Sequence, residues 1–494
     1  MDVKLSFADN PSIVEGGLAV LLKTNFSDAA GLSFSNFESV VNRAASIKKF
    51  TGESKSNLNI LVPESCSKDR LVVVGIGSPE DDSFSWLKEG GNVASFIEED
   101  ENIEIFVDVP GYSITDKDIK DFAIGFMLKV YSFDKYKTNK KCNFSVAPAD
   151  SISVTIITKM ADKANEALKD IKAIVNGVNL TRDIVNEPAN VLGTSEFCEK
   201  AKQLKNLGIE VDILNKEDMD KLGMKSILAV SQGSVRPPYL VIMKWNGGIE
   251  GDSPLAFIGK GIVFDSGGIS LKPSNGMEDM KGDLAGAAAV AGLMSVLAER
   301  KAKVNAIGIL AVAENMPGAS AQRPGDIIKS MSGQTIEVIN TDAEGRLILA
   351  DALWYCSTHY KPRLMIDLAT LTGAMVVSLG NVCAGLFSND DLLSERLISS
   401  GLSTCELLWR MPMNDAYDKL IESKVADMKN VGERGAGSIT AAKFLSKFVQ
   451  ETSWAHIDIA GTSTSKVSDD INKSWASGFG VRLLDGFVRS FYEK

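Results

Sequence analysis

The eight residues N-T-D-A-E-G-R-L, at positions 340–347, join an apolar β-like run at residues 335–339 to an apolar helix-like run at residues 347–356. A short strand followed directly by a helix is the repeating unit of α/β proteins with parallel sheets. The junction between the two elements carries two carboxylates and a guanidinium among small residues. The stretch therefore predicts an α/β fold and raises the question of what its charges do.

Two explanations of these charges stay open from the sequence alone. Thr341 and Glu344 have the T-x-x-E spacing of a capping box, which predicts a helix beginning near Leu347. If the segment is extended instead, Asp342, Glu344 and Arg346 point to the same side, because alternate residues of a strand share a face. The first explanation makes the stretch a helix start, and the second makes it a functional site.

The alternation of strand-like and helix-like segments extends over almost the whole chain. Helical patterns lie at residues 119–131 and 161–184, and the apolar run at residues 285–298 is a third. The strand-like runs are at residues 58–62, 71–75, 103–109, 152–157, 209–214, 239–245, 255–259, 304–311, 336–339, 364–369 and 455–459. This alternation predicts βαβ units and a mixed, mostly parallel sheet that helices cover on both faces.

The periodic segment at residues 161–184 predicts one long helix that ends before Pro188, because the residue before a proline disfavours helical geometry. We interpret this helix as a connector. The predicted organisation is an N-terminal α/β domain at residues 1–160, a connecting helix at residues 161–187 and a larger α/β domain at residues 188–494. In open α/β sheets, ligands bind beyond the carboxyl ends of the strands. The residues that follow the strands of the second domain are therefore the candidates for a site.

Composition narrows the class of protein. The chain has 494 residues, of which 45% are hydrophobic and 24% charged, as in ordinary globular proteins, and its formal net charge is -11. This acidic balance argues against a nucleic-acid partner, because affinity for a phosphate backbone comes from clustered Lys and Arg. The N-terminus lacks a secretory pattern, and the run at residues 285–298 is too short to span a membrane, so we expect a packed interior helix there.

The cysteines suggest a reducing compartment. They are few and scattered, and they form no C-x-x-C pair, so neither a disulfide framework nor a zinc finger is expected. The six cysteines are Cys66, Cys142, Cys198, Cys356, Cys383 and Cys405. We therefore predict a cytoplasmic protein without a membrane partner.

Three further segments of the second domain carry polar side chains that sheet packing does not require. The segment G-K-G-I-V-F-D-S-G-G-I-S-L-K-P at residues 259–273 supplies Lys260, Asp265 and Lys272. The segments M-E-D-M-K-G-D-L-A-G-A-A at residues 277–288 and D-L-A-T-L-T-G-A at residues 367–374 supply Asp283, Thr370 and Thr372. The glycines of the first segment fit neither a Walker loop nor a G-x-G-x-x-G loop. Asp283 also suits a helix N-cap, so its role stays open.

The acidic side chains at these junctions suggest a metal centre. The four carboxylates are Asp265, Asp283, Asp342 and Glu344. If they converge, they need compensating charge, because like charges raise one another's pKa. A pair of divalent ions would supply that charge, and an oxygen-rich ligand set suits Mg²⁺, Mn²⁺ or Zn²⁺. The chain has no H-E-x-x-H motif, which excludes a mononuclear zincin, and we expect His359 at the surface and His456 in the core.

Four motifs together resemble the leucine aminopeptidase (cytosol aminopeptidase) family of bacterial type. They are N-T-D-A-E-G-R-L, G-K-G-I-V-F-D-S-G-G-I-S-L-K-P, D-L-A-T-L-T-G-A and W-A-H-I-D-I-A-G, and the resemblance covers roughly residues 170–490 in matching order. It implies a two-metal exopeptidase that removes the N-terminal residue, preferably Leu or another apolar residue, from peptide substrates. It also implies an N-terminal domain of macro-domain-like topology, a second domain that is the catalytic metallopeptidase domain, and a homohexamer.

The resemblance implies a role for each motif residue. One metal site would be formed by Asp265, Asp342 and Glu344, and the other by Lys260, Asp265, Asp283 and Glu344, so that Asp265 and Glu344 bridge. The metals would be Mn²⁺ or Zn²⁺, with Mg²⁺ possible. Lys260 would bind as a neutral amine, because an adjacent dication disfavours the ammonium form.

The remaining motif residues would act on the substrate. Lys272 would stabilise the developing oxyanion, and Arg346 would hold a bicarbonate ion as the general base that the side chains do not otherwise supply. The pocket for the first side chain would be formed by Met280, Thr370, Leu371 and Gly373.

Two other functions account for less of the pattern. Carboxylate clusters also serve two-metal phosphoesterases, but the segments contain no histidine ligand and no phosphate loop. A secondary DNA-binding or scaffold role, which some bacterial members of the family have acquired, is disfavoured by the acidic balance.

Overall fold

The structure is a computed structural model that describes residues 2–11, 17–23, 38–62, 69–81, 84–97, 102–109, 111–138 and 151–493. Its contacts divide the chain into two compact units. Unit 1 comprises Met1–Val175 and Val467–Ser474, and unit 2 comprises Asn176–Lys466 and Trp475–Lys494. The helix expected at residues 161–184 spans Ala161–Asn186 and contains the point of division. The domain boundaries at residues 160 and 188 stay predictions.

Unit 1 is an α/β unit built on one sheet. Its strands are β1 (Asp2–Ala8), β2 (Leu18–Lys23), β3 (Asn57–Leu61), β4 (Arg70–Gly75), β5 (Asn102–Phe106) and β6 (Ser151–Ile157). Its helices are α1 (Glu38–Lys48), α2 (Trp86–Ala94), α3 (Asp116–Val130) and the first part of α4 (Ala161–Asn186). The strand order is β1-β6-β5-β2-β4-β3, and all neighbours are parallel except β3, which pairs antiparallel with β4 at one edge.

The patterns of unit 1 explain these elements. Strand β4, R-L-V-V-V-G, is buried at every residue, as expected for a parallel strand covered on both faces. Helix α3 begins with a capping box, in which the Thr115 side chain accepts from the Asp118 amide and the Thr115 amide donates to Asp118 at 2.9 Å. The strands predicted in this part are confirmed, whereas β1 and β2 were not predicted. Cys66 and Cys142 lie outside the described residues.

Unit 2 contains a larger, mixed sheet and a small second one. Its strands are β7 (Glu210–Leu214), β8 (Tyr239–Asn246), β9 (Leu255–Asp265), β10 (Asn305–Asn315), β11 (Ile327–Lys329), β12 (Thr335–Glu337), β13 (Leu364–Ala369), β14 (Ala384–Ser388), β15 (Leu408–Arg410), β16 (Met428–Lys429) and β17 (Trp454–Asp458). The eight-stranded sheet has the order β15-β14-β17-β13-β9-β10-β8-β7, and the small sheet has the order β11-β12-β16. Parallel pairing predominates in the large sheet, as predicted. Its antiparallel pairs are β14 with β17, β10 with β8 and β8 with β7, and its other neighbouring strands are parallel.

Nine further helices belong to the described part of unit 2. They are α5 (Thr194–Gln203), α6 (Lys216–Lys221), α7 (Lys225–Ser231), α8 (Ala285–Glu299), α9 (Glu344–Tyr360), α10 (Gly373–Leu379), α11 (Asp391–Thr404), α12 (Gly437–Ser446) and α13 (Val481–Phe491). Short 3₁₀ helices lie at Leu204–Leu207, Met277–Gly282 and Asp415–Ile421.

The small residues of α8 let this helix lie directly on the sheet. A Cβ atom on Gly286 would be 2.0 Å from the carbonyl oxygen of Leu368, and one on Gly259 would be 2.3 Å from the Cα of Ala287. Glycine in a strand often marks such a close backbone approach. The helical stretch Met277–Glu299 is long and apolar enough to cross a membrane by length and composition, but 94% of its apolar window is buried inside the fold. The predicted interior helix is confirmed.

The parallel centre of the large sheet creates the edge at which a site is expected. Strands β10, β9, β13 and β17 are neighbours in the sheet and run in the same direction. Their carboxyl ends therefore meet at one edge, which is where open α/β sheets bind ligands. The last residues of these strands are Asn315, Asp265, Ala369 and Asp458.

Candidate active site

A cavity of about 300 Å³ opens at this edge of unit 2. Ten predicted site residues line it, namely Lys260, Asp265, Lys272, Met280, Asp283, Asp342, Glu344, Thr370, Leu371 and Gly373. The sequence-based prediction missed other lining residues, namely Asp279, Gly282, Val376, Ala460, Ser463 and Thr464. Segments that are distant in sequence thus meet in one concave site.

Lys260 lies buried between two carboxylates. Its Nζ is 2.8 Å from Asp283 Oδ1 and 2.8 Å from Glu344 Oε1. The same Nζ donates a 2.8 Å hydrogen bond to the carbonyl oxygen of Thr370. A Cβ atom on Gly345 would lie 2.8 Å from this Nζ, so the glycine that follows Glu344 leaves the space that the lysine occupies.

Lys272 is the second cation of the cluster. Its Nζ lies 2.8 Å from Asp265 Oδ2 and 2.5 Å from Asp342 Oδ1, and its side chain is partly exposed to the cavity. When all four carboxylates are ionised, the two lysines offset only half of their charge. Further cations would balance the negative charge that remains.

Several oxygens of the cluster accept no hydrogen bond. Among the described residues, Asp283 Oδ2, Asp342 Oδ1 and Glu344 Oε1 are buried and without a hydrogen-bond partner, although the last two have a lysine Nζ within 2.8 Å. Oxygens of Asp265, Asp342 and Glu344 lie within 4.8 Å of one another. A buried oxygen with neither a hydrogen bond nor a cation, such as Asp283 Oδ2, is costly, and carboxylates are the ligands that hard and borderline divalent ions prefer. The residues present thus fit a divalent metal centre.

The electrostatics of the cluster agree with this fit. Burial raises the pKa of Asp265, and the Glu344 carboxylate raises it further, against the opposing effect of the two lysines. Burial likewise raises the pKa of Asp283 well above its ordinary value and raises the pKa of Asp342. Burial alone would lower the pKa of Lys260, but the surrounding carboxylates outweigh burial and raise it. The site concentrates negative charge in a place from which water is largely excluded.

Asn315, the last residue of β10, orients one of the carboxylates. Its Nδ2 donates a 2.8 Å hydrogen bond to Asp265 Oδ1 and a 3.0 Å hydrogen bond to the carbonyl oxygen of Thr341. The amide of Gly267 donates to the same Asp265 oxygen at 2.9 Å. Because Oδ1 is occupied in this way, Oδ2 faces the cluster. The prediction missed Asn315, although the rule that selects residues at strand ends applies to it equally.

Arg346 is not among the residues that line the cavity. The side chain is buried in the first turn of α9, and its Nη1 donates a 2.7 Å hydrogen bond to the carbonyl oxygen of Asn430. Its Nε is buried and has no hydrogen-bond partner among the described residues. Burial lowers the pKa of Arg346 to about 10, with Glu344 and Asp458 acting in the opposite direction.

The stretch at residues 340–347 is neither a capping box nor an extended segment, so both explanations of its geometry are wrong. Helix α9 begins at Glu344 rather than near Leu347, and its N-cap residue, Ala343, makes no side-chain cap. The hydroxyl of Thr341 instead donates to the carbonyl oxygen of Gly267 at 2.6 Å.

The Thr341 hydroxyl also accepts a 2.8 Å hydrogen bond from the amide of Ser270. This side chain therefore fastens the turn before α9 to the loop after β9. The turn, rather than a shared strand face, brings Asp342 and Glu344 to the cluster.

Two further expectations about position need correction. Asp283 is not an N-cap of α8, because Leu284 occupies that position and Asp283 Oδ1 accepts a 2.7 Å hydrogen bond from Thr370 Oγ1. The strand-like run predicted at residues 255–259 would place Lys260 just after a strand, but β9 continues to Asp265 and includes Lys260. The lysine thus projects from within a buried strand.

The two histidines lie where they were expected. His359 is exposed in the last turn of α9. His456 is buried, with its Nδ1 2.6 Å from Asp367 Oδ1, and the other oxygen of Asp367 accepts a 2.7 Å hydrogen bond from Trp454 Nε1. Burial lowers the pKa of His456, but the neighbouring Asp367 carboxylate outweighs burial and raises it.

Family comparisons cover both units of the chain. The family model described as the catalytic domain of the cytosol aminopeptidase family matches residues 179–485. The model described as the N-terminal domain of the same family matches residues 19–140.

Individual members of the compared proteins are similar to this chain over nearly its full length. A "Probable cytosol aminopeptidase" of Rhizobium etli (strain CIAT 652) is 58% identical over 492 residues, which cover 99% of both chains. One of Rhizobium johnstonii is 58% identical over 496 residues, which cover 100% of both chains. The solved structure of a mutant of tomato leucine aminopeptidase has a TM-score of 0.85 at 32% identity, and the match covers 99% of this chain and 96% of that one.

Proposed function

Because this chain belongs to the cytosol aminopeptidase family and is a metal-dependent aminopeptidase, we propose that it removes the first residue of peptides, preferably leucine or another apolar residue, at the cluster in unit 2. One observation carries this proposal. Four acidic side chains surround a cavity, three of them have a buried oxygen that accepts no hydrogen bond, and two lysines are the cations placed among them.

We assign two metal sites to the cluster. Asp265, Asp342 and Glu344 would hold one ion, and Lys260, Asp265, Asp283 and Glu344 would hold the other. Support for this division comes from the contacts, because Lys260 lies beside Asp283 and Glu344 whereas Lys272 lies beside Asp265 and Asp342. Mn²⁺ and Zn²⁺ suit this donor set, and Mg²⁺ is compatible with the carboxylates.

Metal ions would contribute chemistry that the side chains lack. Two divalent ions bound there would lower the pKa of a water molecule, polarise the scissile carbonyl and provide a position for the free α-amine of the substrate. The requirement for a free amine makes the enzyme an exopeptidase. Lys260 would serve as a neutral ligand, because a neighbouring dication disfavours an ammonium group.

Lys272 and Arg346 would act on the reacting groups. Lys272 lines the cavity with a partly exposed side chain, so its ammonium can contact an oxyanion that develops on the substrate. Arg346 has a buried Nε without a partner among the described residues, which would suit an anion such as bicarbonate. Bicarbonate would accept the proton of the attacking water, because the carboxylates of the cluster would be bound to metal.

The first side chain of the substrate would occupy the less charged part of the cavity. Met280 lines this part together with the loop after β13, which includes Thr370, Leu371 and Gly373. Apolar groups in such a pocket favour an apolar substrate side chain through burial of its surface. A preference for leucine over alanine follows.

Assembly and location follow from the family resemblance alone. We propose a homohexamer, for which light scattering would give about six times the 53.1 kDa chain mass, and a cytoplasmic location. The assignment of residues 1–160, 161–187 and 188–494 to three segments is part of the same proposal.

Leucine p-nitroanilide hydrolysis tests the proposed function. Glu344→Gln and exhaustive chelation should each abolish hydrolysis, because Glu344 is among the residues that would hold each of the two ions. Glu314→Gln is the matched control, since Glu314 lies next to Asn315 on β10 but contacts Ser234 and Arg236. Unchanged hydrolysis after Glu344→Gln, or after chelation, would contradict the assignment. Hydrolysis of p-nitrophenyl phosphate would instead support a phosphoesterase, and a salt-dependent shift of DNA would support a DNA-binding role.

A further inference from the structure

Asp458 is a buried carboxylate that none of the roles above uses. It is the last residue of β17, pairs in register with Ala369 at the end of β13, and is 0% exposed. A buried carboxylate is costly unless its oxygens accept hydrogen bonds. Its contacts therefore indicate what it stabilises.

The two oxygens of Asp458 join two loops. Oδ1 accepts 3.1 Å hydrogen bonds from the amides of Leu371 and Ala460, and Oδ2 accepts a 2.7 Å hydrogen bond from the hydroxyl of Thr372. Leu371 and Thr372 belong to the loop after β13, whereas Ala460 belongs to the loop after β17. All three line the cavity. One side chain thus fastens two walls of the cavity to each other.

The loop that Asp458 holds also contacts the proposed metal ligands. Thr370 accepts the hydrogen bond of Lys260 Nζ through its carbonyl oxygen, at 2.8 Å, and donates from its hydroxyl to Asp283 at 2.7 Å. On the other side, Thr372 is the N-cap of α10 and accepts a 3.3 Å hydrogen bond from the amide of Met375. The position of this loop therefore affects both the cluster and the cavity wall.

We propose that Asp458 is a positioning residue that sets the selectivity of the enzyme for the first side chain. It does so by holding the loops after β13 and β17 at a fixed separation, so that the space between Leu371 and Ala460 suits a branched apolar group. The proposal rests on the proposed function, which assigns the first side chain to this part of the cavity. Loss of the carboxylate would free three donors and allow the walls to separate.

A purely structural role is the alternative, and Asp351 provides the matched control. Asp351 is also 0% exposed and also accepts three hydrogen bonds, from the backbone amides of Ser226, Ile227 and Met331 at 2.9, 3.1 and 2.8 Å. These contacts hold the start of α7 and the β11–β12 turn, not the walls of the cavity. Asp351→Ala therefore removes a comparable set of hydrogen bonds at a different place.

The selectivity test compares kcat/KM for leucinamide and alaninamide, at a temperature at which each variant is folded. Asp458→Ala should lower the ratio of the two values about tenfold, which is the size of discrimination that a small change in a hydrophobic pocket produces. Asp458→Asn should restore part of the ratio, because its amide oxygen still accepts from Leu371 and Ala460. Asp351→Ala should lower Tm and leave the ratio unchanged. An unchanged ratio in folded Asp458→Ala, or an equal fall in Asp351→Ala, would overturn the proposal.

A second pair of variants covers the case in which Asp458→Ala does not fold. Thr372→Val removes the hydroxyl that donates to Asp458, whereas Thr372→Ser keeps it. The ratio should fall in the first variant and stay near the wild-type value in the second. Equal ratios in the two variants would overturn the proposal.

Hydrogen exchange separates this proposal from the proposed function. Without substrate, the amides of Leu371 and Ala460 should exchange at least tenfold faster in Asp458→Ala than in wild type, and at the wild-type rate in Asp351→Ala. If wild type hydrolyses neither amide, the proposed function fails. The exchange rates still show whether Asp458 holds the two loops together. If wild type is active and exchange at these amides is unchanged in Asp458→Ala, the proposed positioning role of Asp458 is wrong.

Discussion

Replacing Asn315 with leucine tests whether the carboxylates are held in place before a metal ion binds. The substitution removes both N–H donors of the side chain at little change in volume. In the structure these donors bond Asp265 Oδ1 at 2.8 Å and the Thr341 carbonyl at 3.0 Å. The three residues are 0–2% exposed, so water cannot replace the lost hydrogen bonds. The carboxylate of Asp265 then becomes free to rotate away from the cluster.

The expected size of the effect follows from these two bonds. Groups that orient a metal ligand typically contribute a factor of about 10 to 100 in metal affinity, or about 1.4 to 2.7 kcal/mol. The free energy of unfolding of the metal-free chain should fall as well, by roughly 2 to 4 kcal/mol, because one lost bond involves a charged acceptor and the other a neutral one.

Calorimetric titration of chelated protein with Mn²⁺ is the assay. Asn472→Leu is the control, since Asn472 lies in unit 1 and is likewise buried, at 2% exposed. Its Nδ2 donates a 2.9 Å hydrogen bond to the carbonyl oxygen of Ser474, and its Oδ1 accepts a 3.1 Å hydrogen bond from the Ser474 amide. The Kd should rise about 10- to 100-fold in Asn315→Leu and stay unchanged in the control. A Kd within twofold of wild type in folded Asn315→Leu, or an equal rise in Asn472→Leu, would refute the reasoning.

Three other outcomes are expected. Lys272→Ala should keep both ions by elemental analysis while kcat falls about 10²- to 10³-fold, and a metal-free variant would show that the roles of the two lysines are exchanged. Lys260→Met should bind one ion fewer per subunit, because a thioether is a poor ligand for Mn²⁺, and full metal content would contradict this assignment. Burial raises the pKa of Asp351 to about 7, so the folded chain binds its proton more tightly than the unfolded chain. Its contribution to stability is then complete below about pH 4 and is lost, at about 1.4 kcal/mol per pH unit, as the pH rises to 7. Thermal unfolding of chelated protein at pH 5 and pH 7 checks this. From pH 5 to pH 7, the Tm of wild type should fall relative to the Tm of Asp351→Asn. Equal changes of Tm in the two proteins would contradict this.

Charge and strand position made much of the site predictable. Lys260, Asp265 and Asp283 stand out because ionisable side chains follow or occupy apolar runs, and the sheet brings such positions to one edge. Asn315 and Asp458 also lie at strand ends. The amide of Asn315 is neutral and Asp458 is a single acid within an apolar motif, so neither creates a charge pattern that stands out in the sequence. Their importance appears only with their partners, which come from other strands.

Local geometry around α9 was not predictable from local sequence. The T-x-x-E spacing is correct for a capping box, yet the Thr341 hydroxyl bonds Gly267 and Ser270, about 70 positions earlier in the chain. A long-range contact thus replaced the local one, and Glu344 became available to the cluster. In unit 1, strand β1 was missed although Leu5 and Phe7 alternate with exposed residues, which is the pattern of a half-buried strand.

The most direct test of a metal-dependent aminopeptidase at this cluster compares leucinamide with N-acetyl-leucinamide, before and after chelation. Hydrolysis of leucinamide should stop on chelation and return as Mn²⁺ or Zn²⁺ is added back, with saturation at about two ions per subunit. The acetylated amide, which lacks the free amine, should not be hydrolysed under any of these conditions. Hydrolysis that continues in protein shown by elemental analysis to be metal-free, or equal rates on the two amides, would contradict the account.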